Sequence, residues 1–169
     1  MPRVFAALTL PHEVCDTLDR DIRALSRFDR LARLTPSTDF HITLAFIGDI
    51  ALEQAQRLSA ALRPLAMATP REISLGRLGL FDRSGVLWAG LTPAESLDPV
   101  AKLVREKIQE MGLPYDKKPF RPHITIARNW RRPYPMMTLP ARTFRLGGPV
   151  LFESEMDPRT RQVRYRQIL

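Results

Sequence analysis

The chain has 169 residues, 44% of them hydrophobic, and its 26 Lys and Arg residues outnumber 18 Asp and Glu residues, for a formal net charge of +8. This size and apolar content predict one globular domain over residues 1–169 and exclude a largely disordered chain. The basic balance favours an anionic partner, although arginine-rich genome composition would produce the same bias.

The first apolar run, Val4–Leu10, predicts a strand. It is too short for the core of a signal peptide and leads directly into the helix-like sequence Pro11-His12-Glu13. No run approaches the ~18 consecutive apolar residues of a membrane span, so no membrane partner is expected. The single cysteine, Cys15, excludes an intramolecular disulfide and fits the reducing cytoplasm, where we expect the protein to act.

The first half of the chain alternates helices and strands. Apolar residues recur at helical spacing from Pro11 to about Arg27, which predicts a first helix. A short strand over Leu31–Leu34 and a turn come next, followed by a longer strand that ends at Gly48-Asp49. A second helix is predicted from about Leu52 to Leu65.

The second half has a comparable order of elements. Two paired strands are predicted at Arg71–Leu80 and Gly85–Leu91, followed by a third helix at Ser96–Met111 that ends at Gly112. Later in the chain come an irregular loop and two closing strands, at Asn129–Pro140, Arg142–Phe152 and Gln162–Leu169.

Two short segments, one in each half, nearly repeat each other: His41-Ile42-Thr43-Leu44-Ala45 and His123-Ile124-Thr125-Ile126-Ala127. Each reads as a strand with His and Thr on one face and the aliphatic residues toward the core. The repetition predicts two related lobes packed about a pseudo-two-fold axis. This symmetry would bring both imidazoles to one cleft.

Hydrolysis of a phosphodiester without a metal needs a base, an acid and donors to the nonbridging oxygens. The candidate catalytic residues His41, Thr43, His123 and Thr125 supply this set, so we expect no metal and no cofactor. A single His-x-Thr would ordinarily be a surface or core pair. The presence of two such pairs favours a functional role for both.

Other polar residues receive no catalytic role. His12 and Cys15 could suggest zinc, but the two motifs contain Thr where a metal site would use a carboxylate, a thiolate or a third imidazole. Lys117 and Lys118 are interpreted as a solvated loop. No phosphate-binding glycine loop of the P-loop type is present, so ATP dependence is not expected.

The two motifs, with their surroundings Phe40–Gly48 and Pro119–Arg128, resemble those of the 2H phosphoesterase superfamily. Within it, the chain is most similar to the RNA 2′,3′-cyclic phosphodiesterase family, also called the 2′-5′ RNA ligase family. The resemblance implies an α+β fold formed by a single bilobal domain. Its two pseudo-symmetric lobes have antiparallel sheets that line a central cleft and helices outside.

The resemblance also implies an activity. It is metal-independent hydrolysis of an RNA or nucleotide 2′,3′-cyclic phosphate to a 2′-phosphomonoester, with His41 as proton donor and His123 as proton acceptor. With an RNA 5′-hydroxyl in place of water, the reverse reaction is 2′-5′ ligation. The residues alone do not assign the acid and the base, because the motifs are nearly identical.

Two substrate-binding residues follow from the resemblance: Arg128 for the phosphate and Phe46 as a stacking surface for the terminal base. Both lie five residues past their histidine, so strict alternation would turn them to the opposite face of the strand. Each strand must therefore end or bulge first.

Two other functions remain open from the sequence. One is a noncatalytic nucleotide- or RNA-binding module that keeps the cleft, although two intact histidine motifs count against it. The other is the same chemistry on ADP-ribose cyclic phosphate or on 2′-5′-linked oligonucleotides. A monomer is expected, because an internally duplicated domain has no obvious need to dimerise.

Overall fold

The structure is a computed structural model that describes residues 3–135, 139 and 142–169. Within these residues the chain forms nine strands and three α-helices. The strands are β1 (Arg3–Thr9), β2 (Arg33–Leu34), β3 (His41–Asp49), β4 (Ile73–Phe81), β5 (Val86–Thr92), β6 (Ile124–Arg128), β7 (Thr143–Phe144), β8 (Val150–Met156) and β9 (Val163–Ile168). The helices are α1 (His12–Arg23), α2 (Leu52–Leu62) and α3 (Asp98–Glu110).

All strands belong to one antiparallel sheet in the order β7-β4-β5-β6-β3-β1-β8-β9, with β2 paired to β6. One half contains β3, β1, β8 and β9, and the other contains β6, β5, β4 and β7. The halves meet where β3 and β6 pair at Ile42 and Ile124, which we call the seam pair. The predicted α+β class with two pseudo-symmetric antiparallel halves is confirmed, and the two halves share one continuous sheet.

The helices and the sheet enclose one hydrophobic core. Helix α1 contributes Val14, Leu18 and Ile22, and α2 and α3 contribute similar apolar stripes. Both isoleucines of the seam pair are fully buried in this core. Predicted and observed helices agree closely, with short 3₁₀ turns extending α1 and α2 at their C-terminal ends and preceding α3.

Beyond the seam pair, β3 and β6 separate, and other elements complete the facing edges of the two strands. On β6, strand β2 pairs in register with Ala127 and Arg128, and the amide of Thr35 donates to the carbonyl of Ile126 at 2.9 Å. On β3, the amide of Asp116 donates to the carbonyl of Phe46 at 2.8 Å. The backbone groups next to the motifs are thus satisfied without further β3–β6 pairing.

The prediction of one strand over Arg142–Phe152 is wrong. β7 pairs with β4 in one half and β8 pairs with β1 in the other, so residues 145–149 cross between the halves outside the sheet. Gly148 allows the crossing to pass close to the segment after α2. A Cβ there would lie only 2.7 Å from the Cβ of Ala66.

Two further observations concern predicted segments. The described part of the predicted loop Asn129–Pro140 contains no helix or strand, and residues 136–138 and 140 lie outside the described residues. In the described ranges 3–135, 139 and 142–169, no helix is long and apolar enough to cross a membrane.

Candidate active site

The first motif places an imidazole at the first residue of β3. The Nδ1–H of His41 donates to the carbonyl oxygen of Asp39 at 2.6 Å, and Nε2 lies 2.9 Å from Oγ1 of Thr43. Because a carbonyl can only accept, it keeps a proton on Nδ1 and leaves Nε2 as the nitrogen that gains or loses one. The Thr43 hydroxyl donates to Nε2 when the ring is neutral and accepts from it when the ring is charged.

The second motif repeats this arrangement immediately before β6. The Nδ1–H of His123 donates to the carbonyl oxygen of Arg121 at 2.7 Å, again two residues upstream. Thr125 follows in the strand and pairs in register with Trp88 of β5. Both histidines are therefore oriented by the same backbone contact, which leaves Nε2 of each ring as the nitrogen that can gain or lose a proton.

The seam pair brings the two motifs together. Its isoleucines point into the core, so the residues on either side of each point to the opposite face of the sheet. Continuing the antiparallel register past this pair puts His41 opposite Thr125 and Thr43 opposite His123. The four predicted catalytic residues thus share one face at the centre of the molecule.

The pKa values of both histidines are shifted in the same direction. Burial is the main cause that lowers the pKa of His41 to about 4, and the charges of Arg128 and His123 lower it further. The hydrogen bond to the carbonyl of Asp39 acts in the opposite direction. Burial and then the Arg128 charge lower the pKa of His123, against its own carbonyl hydrogen bond. Both shifts favour the neutral form of the imidazole.

A bulge in β3 turns Phe46 to the histidine face. Ala45 pairs with Ala6, whereas Thr43 pairs with Ala7, so Leu44 has no partner of its own in β1. This extra residue reverses the alternation. Phe46 is 57% exposed, and its ring lies 6.1 Å from that of Phe5, which in turn lies 5.0 Å from the His41 ring.

A matching bulge in β6 has the same effect on Arg128. Ala127 pairs with Leu87 and Thr125 with Trp88, which leaves Ile126 as the extra residue. The charge of Arg128 acts on both imidazoles, as the pKa shifts record. The predicted requirement for a bulge is confirmed in both strands, and Phe46 and Arg128 both join the histidine face.

Aromatic residues to which the sequence reasoning gave no role surround both imidazoles. Beside His41, the ring of Tyr165 makes an edge contact at 5.4 Å and that of Phe152 lies 6.4 Å away. Beside His123, Phe81 makes a perpendicular contact at 5.1 Å and Trp88 lies at 6.4 Å. The strand pairing decides which histidine each ring accompanies, because Tyr165 lies on β9 in the half of β3 and Trp88 on β5 in the half of β6.

Arg105 of α3 was also missed, and it connects the surroundings of the two motifs. Its Nε donates to the carbonyl of Leu44, the bulge residue, at 3.2 Å, and its Nη1 donates to the carbonyl of Lys118 at 2.9 Å. The guanidinium lies 5.9 Å from the ring centres of both Tyr115 and Phe120. An arginine next to a buried position of the α3 apolar stripe was the available sequence signal.

The remaining polar residues of the sequence analysis lie outside the two motif strands. His12 is exposed on the first turn of α1, and Cys15 is half-buried against the core. Lys117 and Lys118 are exposed, as predicted for a solvated loop. In the part of the chain that the structure describes, no three His, Cys, Asp or Glu side chains are grouped as metal ligands.

Comparisons with known proteins point to one family. The family described as the 2′-5′ RNA ligase superfamily matches residues 13–152. A protein of Thermus thermophilus named RNA 2′,3′-cyclic phosphodiesterase is 31% identical over 170 residues, covering 93% of this chain and 84% of the relative. Proteins with the same name from Geobacillus stearothermophilus and Escherichia coli are 33% and 30% identical over 70% and 75% of this chain. The match spans 41% of the Geobacillus protein and 72% of the Escherichia coli protein.

Solved structures agree with this grouping. TT0787 of Thermus thermophilus superposes with a TM-score of 0.80 at 27% sequence identity, covering 99% of this chain and 95% of that protein. LigT of Escherichia coli, solved in complex with ATP, has a TM-score of 0.75 at 25% identity with the same coverage. The fold is therefore shared over nearly the full described length.

Proposed function

The chain belongs to the 2′-5′ RNA ligase superfamily, and from this premise we propose that it is a metal-independent RNA 2′,3′-cyclic phosphodiesterase. The observation that carries the proposal is the arrangement of His41 and His123. Each ring is anchored through Nδ1 to a carbonyl two residues upstream, and the seam pair brings both to one face. Relatives that share the name RNA 2′,3′-cyclic phosphodiesterase support the choice of substrate.

In this proposal, His123 acts as the base and His41 as the acid. Nε2 of His123 takes a proton from water while the water oxygen bonds to phosphorus. The bond between phosphorus and the 3′ oxygen breaks, and Nε2–H of His41 gives its proton to that oxygen. The product is a 2′-phosphomonoester with a free 3′-hydroxyl. With the 5′-hydroxyl of an RNA in place of water as the nucleophile, the same displacement yields a 2′-5′ linkage and a free 3′-hydroxyl.

The remaining site residues bind rather than transfer protons. The hydroxyls of Thr43 and Thr125 donate to the nonbridging phosphate oxygens, and the Arg128 guanidinium balances the charge that develops on them. The exposed ring of Phe46 receives the terminal base by stacking. The matching bulges support these assignments, because both side chains are turned to the face that carries the imidazoles.

The protonated form of His41 that the proposed mechanism needs depends on bound substrate. With the pKa of His41 lowered to about 4, the charged ring is strongly disfavoured at pH 7. A bound cyclic phosphate brings a negative charge between Arg128 and the two rings. That charge offsets the Arg128 charge and raises the pKa values of both histidines, so the substrate itself promotes the acid form of His41.

One experiment tests reaction and regiochemistry together. An RNA oligonucleotide ending in a 2′,3′-cyclic phosphate is incubated with the protein in excess EDTA, and the product is analysed by phosphorus NMR. We expect complete conversion to the 2′-phosphate. Tight binding without turnover would identify a noncatalytic module. A 3′-phosphate product or loss of turnover in EDTA would contradict the proposed reaction.

We further propose that residues 1–169 act as a single bilobal domain, as a monomer in the cytoplasm. The site described above uses side chains from both halves of one chain, which supports this. Light scattering on the purified protein tests the monomer.

A further inference from the structure

A pocket of about 430 Å³ opens beside His41, at the end where β3 begins. It lies between the start of α1, the turn before β3, and the faces of β8 and β9. Phe46 is five residues further along β3 and does not line it. The stacking surface proposed for the terminal base is therefore separated from the pocket by Phe5, which pairs with Phe46 on one side and with the pocket residue Phe152 on the other.

The chemistry of the pocket differs from wall to wall. Phe152 and Tyr165 form an aromatic side next to the imidazole, and Asp16 and Asp39 place carboxylates on other walls. His12 and His41 are the only basic side chains among the described lining residues. A phosphate would meet these carboxylates unfavourably, whereas a nucleobase can stack on the aromatic side and donate its amino hydrogens to them.

The size and position of the pocket limit which group can bind in it. A volume of about 430 Å³ lies near the lower end of the ~300 to 1,000 Å³ range of small-molecule sites, which suits one nucleoside. A terminal ribose carries its base at C1′ and the rest of the RNA chain at C5′, on different sides of the sugar. If the cyclic phosphate lies between the imidazoles and the terminal base stacks on Phe46, the chain can leave past His41.

Resting on the proposed function, we propose that this pocket is a second nucleoside subsite, which binds the penultimate nucleoside of the RNA. Its base stacks on the side formed by Phe152 and Tyr165, with exocyclic amines facing Asp16 and Asp39. The subsite distinguishes an RNA end from a mononucleotide, because only the former reaches both surfaces. Burial, which raises the pKa of Asp39, is consistent with a carboxyl group sheltered from water.

Calorimetric binding of two product-like probes tests the subsite. Adenosine 2′-phosphate occupies only the phosphate and terminal-base sites, whereas the dinucleotide adenylyl-adenosine 2′-phosphate adds a penultimate nucleoside. We expect the dinucleotide to bind at least ten-fold more tightly. A dinucleotide that lacks its penultimate base should lose most of this advantage. Equal Kd values for adenosine 2′-phosphate and the complete dinucleotide would overturn the subsite.

A matched pair of variants tests whether the tighter binding of the dinucleotide comes from this pocket. Asp16→Trp places an indole in the pocket from an exposed position of α1, and the ratio of the two Kd values should fall toward one. Glu13→Trp puts the same side chain at an exposed position of α1 outside the pocket and should keep the wild-type ratio. An unchanged ratio of Kd values in Asp16→Trp would contradict the placement of the penultimate nucleoside in this pocket. The dinucleotide that lacks its penultimate base tests the wild-type protein, whether or not that variant folds.

Binding and turnover separate the two proposals. Calorimetry requires no reaction, so absence of cyclic phosphate hydrolysis would refute the proposed function while the Kd ratio still decides the subsite. Conversely, hydrolysis of cyclic mononucleotides together with equal Kd values for adenosine 2′-phosphate and the complete dinucleotide would support the proposed function and contradict the second subsite.

Discussion

The two halves of the candidate site use nearly the same backbone to present different side chains. Both histidines donate through Nδ1 to a carbonyl two residues upstream, and both strands bulge one residue after the threonine. At the fifth position after the histidine, however, one half has Phe46 and the other has Arg128. The similar backbone of the two halves presents a pair of imidazoles for proton transfer. The unlike side chains make the two ends of the site different, so a nucleotide can bind in one orientation.

The surroundings of the rings add to this difference. His41 is enclosed by Phe5, Phe152 and Tyr165, and its pKa is lowered to about 4. His123 lies against Phe81 at the edge of its strand, and its pKa is lowered by the same two main causes, burial and Arg128. Similar motifs can therefore perform distinct steps, because the environment of each ring and the bound substrate decide which carries the proton.

The largest expected effect comes from removing either histidine. His41→Ala and His123→Ala should each lower kcat on a cyclic phosphate by about 10² to 10⁴-fold, since each removes one positioned proton transfer. Steady-state kinetics measure the loss, and circular dichroism confirms that each variant is folded. Near-normal turnover in either folded variant would contradict the paired mechanism.

The same variants sharpen the assignment of acid and base. An aryl phosphodiester has an acidic leaving group that needs no proton donor, so His41→Ala should lose much less activity on it than on the cyclic phosphate. His123→Ala should lose similar activity on both substrates, because each still requires an activated nucleophile. The opposite pattern would exchange the two roles.

Arg128→Gln tests the electrostatic difference between the halves. One acid and one base give a bell-shaped dependence of kcat/KM on pH. Removing the guanidinium charge raises the pKa values of both histidines, so this profile should move to higher pH. We also expect kcat/KM to fall by about 10 to 100-fold through weaker phosphate binding. The control Arg33→Gln removes an exposed arginine from the neighbouring β2 position. A profile that shifts equally in both variants would show a general charge effect instead.

Phe46→Ala should have the smallest effect on kcat and should act mainly by raising KM. Loss of one base-stacking contact, worth about 1 to 3 kcal/mol, corresponds to a rise in KM of about 5 to 150-fold with little change in kcat. Met67→Ala, which removes a side chain that is 94% exposed elsewhere, serves as the control. A fall in kcat at unchanged KM would instead place Phe46 among the groups that act on the transition state.

The local elements and the motif residues were predictable because their signals are local. Alternation in the His/Thr strands and helical spacing in α1 and α3 fix which residues are buried. The repeat also predicted that the motifs would meet, and alternation showed that Phe46 and Arg128 required a bulge. These inferences need only a few neighbouring residues and the periods of strand and helix.

What the sequence did not predict depends on contacts between distant segments. The split of Arg142–Phe152 into β7 and β8 follows from a crossing that packs Gly148 against Ala66. The role of Arg105 depends on carbonyl groups 61 and 13 residues away, which no periodicity records. The grouping of aromatic rings around each imidazole likewise required the pairing order of the sheet.

The single β3–β6 pair limits how another molecule can approach. Because β2, Thr35, Arg105 and Asp116 already cover the diverging edges, a peptide or a second copy of the chain cannot enter there by strand addition. Among the described strands, β7 and β9 form the two outer ends of the sheet. An RNA end must therefore reach the imidazoles from the open face of the sheet. Peptides that bind by strand addition will not block the site.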